Sequence, residues 1–99
     1  MSNLDMSAVA AAHIAAKRRR KFSLSWDEAF ILHLAARGGD ERDLMARLRA
    51  DPAGPDLLAR DFRAPGRQLD KLESLGLVVF DGDEMRLTRL AREAIVTVD

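Results

Sequence analysis

Apolar positions fall at helical spacing along most of the chain, switch to a strand-like run once, and return to helical spacing before the end. Trp26, Ala29, Phe30, His33, Leu34 and Ala36 recur at helix period and predict an amphipathic helix. Ser25 with Glu28 three residues on forms a capping box at its start, and Gly38-Gly39 stops it. Trp26 and Phe30, the largest apolar side chains of this segment, are expected in the core. Asp40 caps a second helix with Leu44, Met45 and Leu48 on its apolar side, and Asp51-Pro52-Ala53-Gly54-Pro55 breaks it. A short helix over 55–62 follows, with Leu57, Leu58 and Phe62 apolar, and Ala64-Pro65 ends it.

From Pro65 a further helix places Leu69, Leu72 and Leu75 in one stripe, with Gly76 as its stop. Leu77-Val78-Val79-Phe80 is then β-branched and aromatic, Asp81-Gly82 signals a two-residue turn, and Glu84-Met85-Arg86-Leu87 returns as the second arm of a hairpin. Thr88 caps a last helix over 89–95 that packs Leu90 and Ile95, and Val96-Thr97-Val98 is either a tail or a short added strand. Upstream, residues 7–16 are alanine-rich and predict a helix too short to be stable alone. It either packs on its own domain, frays, or meets a second copy of the chain as a homodimer contact.

The order helix, glycine, hairpin, helix resembles the second half of a winged helix-turn-helix domain. Leu72-Glu73-Ser74-Leu75-Gly76-Leu77-Val78 is similar to the L-E-x-x-G-L-V that ends the recognition helix of bacterial regulators of the MarR, PadR and ArsR kinds. Leu87-Thr88-Arg89-Leu90-Ala91-Arg92-Glu93-Ala94 resembles their L-T-x-x-G-x-E-A after the wing, with Ala91 in place of the usual glycine. The likeness covers about a third of the chain, and its motifs are short and aliphatic. It implies a mainly α fold with a small β-hairpin, a winged helix-turn-helix over 22–99, preceded by an alanine-rich helix and basic arm over 1–21. A plain winged helix has three helices before the wing, whereas this chain offers four after the basic run. The helix-turn-helix is therefore either the Asp40 and Pro65 helices with an insertion between them, or the Pro55 and Pro65 helices. Leu58-Ala59-Arg60-Asp61-Phe62 followed by Ala64-Pro65 favours the second pairing, with a recognition helix about one turn short.

At 99 residues the chain makes one small domain, and 47% hydrophobic with 32% charged residues argues against general disorder. With no cysteine it forms neither a disulfide nor a thiolate metal site. The longest nearly uncharged stretch, 6–16, is too short to span a bilayer, and its cations follow it where a secretory signal carries them ahead. A cytoplasmic protein without a membrane partner is expected. Net charge is zero but uneven: Lys17, Arg18, Arg19, Arg20 and Lys21 are contiguous. From Phe22 onward eleven Lys and Arg stand against fifteen Asp and Glu, a balance of −4.

With Leu69, Leu72 and Leu75 in the core, Arg63, Arg67 and Lys71 recur at spacing four on or leading into the opposite side, beside Gln68. The resemblance implies that this face enters a major groove of duplex DNA. Arg suits guanine, Gln adenine and Lys phosphate there. The plain alternative is a solvated helix face, which Asp70 and Glu73 favour. The run 17–21 offers a phosphate-contacting arm, or ordinary solvated surface. The hairpin tip Asp81-Gly82-Asp83-Glu84 is acidic, so Arg86 and Arg89 at its base are the better phosphate candidates. Nothing in the chain suggests catalysis, a cofactor or a metal: there is no tyrosine, no phosphate-binding glycine loop, and no second ligand spaced for His13 or His33. The leading expectation is a small transcriptional regulator that binds double-stranded DNA. Its rivals are a winged-helix module that binds protein, and an adaptor that holds DNA only through the arm.

Overall fold

Local sequence signals set most element boundaries in the computed structural model, which describes residues 20–99. Chain order is β1 (Lys21–Leu24), α1 (Trp26–Ala35), α2 (Glu41–Ala50), α3 (Gly54–Arg60), α4 (Gly66–Ser74), β2 (Val78–Asp81), β3 (Glu84–Leu87), α5 (Arg89–Glu93) and β4 (Ile95–Val98). The described residues thus form a mixed α/β fold of five helices and two two-stranded sheets. β2 and β3 make the expected antiparallel hairpin. The other sheet pairs β1 with β4 in parallel, so 96–98 is a strand rather than a tail.

The Ser25 hydroxyl accepts from the Glu28 amide at 3.1 Å and the Glu28 carboxylate takes the Ser25 amide at 2.9 Å, which is the capping box in full. Asp40 and Asp43 do the same for α2, at 3.0 Å each way. The Asp43 amide holds the Asp40 carboxyl below its ordinary pKa. At the far end of α1 the Arg47 guanidinium donates to the Leu34 carbonyl at 3.0 Å, which ties α2 to a helix end that lacks partners. α4 closes in a Schellman motif: Leu77 donates to the Leu72 carbonyl, Gly76 to that of Glu73, and Gly76 takes φ +77°. Thr88 then locks hairpin to helix. Its hydroxyl accepts from Ala91 at 3.1 Å and donates to the Gly76 carbonyl at 2.5 Å.

One glycine is required by space rather than by φ. A Cβ on Gly54 would lie 1.5 Å from the Leu48 carbonyl oxygen, so α3 starts against the end of α2 only because residue 54 has no side chain. The core gathers Leu24, Ile31, Leu44, Leu57, Leu69, Leu72, Leu77 and Met85, all at most 1% exposed. α1 and α4 lie against each other and hairpin residue Met85 closes one side, its amide donating to the Gly39 carbonyl at 2.8 Å.

Four expectations are corrected. The hairpin turn is Gly82-Asp83, one residue later than Asp81-Gly82, because Asp81 pairs with Glu84 as the last rung and Gly82 alone takes the positive φ of +62°. Trp26 is not in the core but 47% exposed. It stands at the entrance of α1, whose buried side is Ile31, Leu34 and Ala35, and its ring stacks on Phe30 with centroids 5.0 Å apart. Phe62 is 92% exposed because α3 ends at Arg60 and Asp61 turns the chain out of helical register. Ile95 does not close a helix: α5 ends at Glu93, and Ile95 opens β4 with 37% exposure.

Candidate nucleic-acid interface

Asp61 governs the turn from α3 into α4. One carboxylate oxygen accepts the Arg63 amide at 3.0 Å, and the other accepts the Gln68 side-chain amide at 2.8 Å. The Arg67 guanidinium lies 3.1 Å from that second oxygen. The Gln68 hydrogen bond, then the Arg63 amide and the charges of Arg67 and Arg63, hold the Asp61 carboxyl below its usual range, against burial that pushes it up. The turn therefore has a fixed geometry set by one side chain.

That geometry decides where the candidate residues sit. Leu69 and Leu72 are buried, and Arg67 and Lys71 face outward from α4 with Arg63 exposed in the turn before it. Arg67 is 58% exposed even while paired with Asp61. Gln68 is the exception. It is 2% exposed, committed to Asp61, and its Oε1 has no partner among the described residues. The expectation of an outward Gln68 reading a base is corrected: residue 68 precedes Leu69 on the buried flank, and Asp61 draws its amide inward. Ser25 and Glu28 at the entrance of α1 line a shallow groove with Arg67, Gln68 and Lys71. Arg60, from α3, reaches the same entrance, pairing with Asp27 and lying 5.8 Å over the Trp26 ring.

At the hairpin the cations are engaged by acids. Arg86 lies 3.3 Å from Asp81 and 3.6 Å from Glu84, so it neutralises its own hairpin. Arg89 pairs with Glu93 at 2.9 Å, which raises its pKa further. Both remain exposed, but neither stands beside α4's outward face as an unpaired cation among the described residues. Of the basic run, Lys17, Arg18 and Arg19 lie outside the described residues. Arg20 and Lys21 are exposed side chains on a backbone held by the sheet: the Arg20 carbonyl accepts from Ile95 at 2.9 Å and Lys21 pairs with Ile95.

Sequence reasoning missed Asp61, whose partners meet it only because the chain turns between α3 and α4, where no single helix or strand runs through all of them. It also missed the Arg60, Asp27 and Trp26 cluster, which joins α3 to α1. Searches against protein-family models, curated proteins and solved structures found no match to this chain. No helix among the described residues is long and apolar enough to cross a membrane.

Proposed function

We propose that the chain is a small winged-helix DNA-binding protein, a transcriptional regulator that lays α4 against duplex DNA. On this reading α3 and α4 are the helix-turn-helix pair, β2 and β3 the wing, and the run 17–21 a basic arm. The observation that carries it is the face made by Arg63, Arg67 and Lys71: three exposed cations on and before one helix whose opposite side is core. The Asp61 turn supports it, because it presets the Arg67 guanidinium and the approach of Arg63. With Gln68 buried, the face is built for phosphates and guanine rather than adenine. Arg67 also pairs with an acid but stands on α4 between Arg63 and Lys71. Arg86 and Arg89 pair with acids of the hairpin and the last helix and are secondary contacts, and the acidic hairpin tip stays clear of the backbone.

The test is fluorescence anisotropy with duplex DNA, comparing the full chain with Arg67→Ala/Lys71→Ala. The variant should bind more weakly, with a salt slope lower by about 0.9 for each phosphate that is no longer neutralised. Unchanged affinity would sink the reading. A second reading, a winged-helix module that binds protein, is favoured by Phe62 at 92% exposure, together with the acidic hairpin tip and the −4 balance after residue 21. A pull-down with the full chain that recovers nucleic acid and no protein would exclude it.

A further inference from the structure

The outer edge of β4 is unsatisfied. Ile95 donates its amide to Arg20 and Asp99 donates to Leu24, both on the β1 side. Strand alternation sends the Thr97 amide the same way, and turns the N–H and C=O groups of Val96 and Val98 outward. No partner meets them among the described residues. Side chains repeat the pattern. Val98 lies on the sheet face shared with Leu24, which is fully buried, yet Val98 is 54% exposed because nothing among the described residues lies beyond β4. Ile-Val-Thr-Val has strong strand propensity and no charge, so nothing in the strand itself repels a neighbour. Two short strands alone are also marginal, and parallel pairs are normally covered on both faces.

We propose that a second copy of this chain occupies that edge, with β4 pairing antiparallel to β4 about a two-fold axis at Thr97. In this register Val96 of each copy exchanges main-chain hydrogen bonds with Val98 of the other, and the sheet becomes continuous in the order β1, β4, β4, β1. The outward N–H groups fit a centre on a residue and not one between residues, since a register shifted by one would face amides already used by β1. The centre at 97 uses Val96 and Val98 of both copies, where a centre at 98 would pair Val98 alone. Val98 of each copy is then covered by Val96 of the other on the core face. On the opposite face Asp99 of each copy lies across from Ile95 of the other, one strand short of that copy's Lys21. One Asp99 carboxylate oxygen accepts from its own Ser23 and the other is open toward the base. This complementarity in both main chain and charge selects a second copy over an arbitrary strand. The area is small beside the roughly 800 Å² per partner of a standard interface, so the dimer is weak.

The test uses the full chain without DNA, by sedimentation from about 10 µM to about 1 mM. A monomer–dimer equilibrium is expected, with association weakened at least tenfold in Val98→Pro. Proline there removes an outward N–H and leaves the β1 ladder intact. Amide exchange supplies the readout that needs no variant. Val96 and Val98 should gain protection as concentration rises, while Thr97 is protected throughout. A chain that stays monomeric over this range overturns the proposal. So does a dimer whose Val96 and Val98 amides remain unprotected, which is the result if the alanine-rich segment 7–16 were the dimer contact instead.

Discussion

Asp61 is the residue on which the candidate surface depends. Its carboxylate accepts from the Arg63 amide and the Gln68 side chain and pairs with Arg67. A lowered folded pKa means that the unfolded chain takes up the proton first as pH falls, near the ordinary value of 3.8. The stabilisation is complete above that value and is lost as pH drops through the lowered folded one. Asp40 acts in the same direction through the Asp43 amide. Acid unfolding followed by circular dichroism should therefore be blunted in Asp61→Asn, with a smaller fall in stability below pH 4. Gln68→Ala should cost about 1–2 kcal/mol in urea unfolding, because a buried side chain that donates to a partly buried carboxylate is removed. Since Gln68 faces inward, its effect on DNA binding should be no more than the loosened turn explains.

Elements show where a close approach or a cap decides the outcome. Gly54→Ala would drive a Cβ into the Leu48 carbonyl, so the α2–α3 junction must open, at a cost of at least about 2 kcal/mol in urea unfolding. Ser25→Ala should cost about 1 kcal/mol by the same measurement, since it removes one half of the α1 capping box. Both positions connect to how much of the structure was legible in the chain. The Ser25 and Asp40 caps, the Gly76 stop and the Thr88 cap follow from residues within five positions of one another, the hairpin from pairs no more than nine apart, and such local signals read directly from sequence. The position of Gly82-Asp83 in the turn does not, because both placements put Val78 and Phe80 on one face with Met85 and Leu87, so the alternation of buried and exposed residues does not choose between them. Nor does β1, whose Lys-Phe-Ser-Leu becomes a strand only by meeting a segment more than seventy residues away. Trp26 and Phe62 misled for the same reason. Their exposure depends on where neighbouring helices end, and hydrophobicity alone carries no such information. Of the candidate site, Arg63, Arg67 and Lys71 were legible from helix period; the inward turn of Gln68 was not, since it answers to Asp61 seven residues back.

At the scale of the whole molecule, acids neutralise some of the exposed cations and leave others open. The hairpin neutralises itself through Arg86 with Asp81 and Glu84, and the last helix does so through Arg89 with Glu93. Exposed cations without an acidic partner among the described residues remain at Arg63 and Lys71, at Arg20 and Lys21 where the chain enters the sheet, and at Arg37, Arg42, Arg49 and Arg92, while Arg67 stays exposed beside its partner Asp61. Removing the arm by starting the chain at Phe22 would cut the Arg20 and Lys21 pairing with β4 as well as remove charge. Substituting alanine at Lys17, Arg18 and Arg19 separates the two effects. If the arm assists α4, this variant should bind duplex DNA more weakly than the parent with its melting temperature unchanged. The most direct test of the central claim is a salt series of duplex-DNA binding by anisotropy, full chain against Arg63→Ala/Arg67→Ala/Lys71→Ala, with folding of both checked by circular dichroism. The account predicts a large drop in affinity and a salt slope reduced by about 0.9 for every phosphate left without its cation. Equal affinity and equal slope in a folded variant would contradict it and take α4 out of the interface.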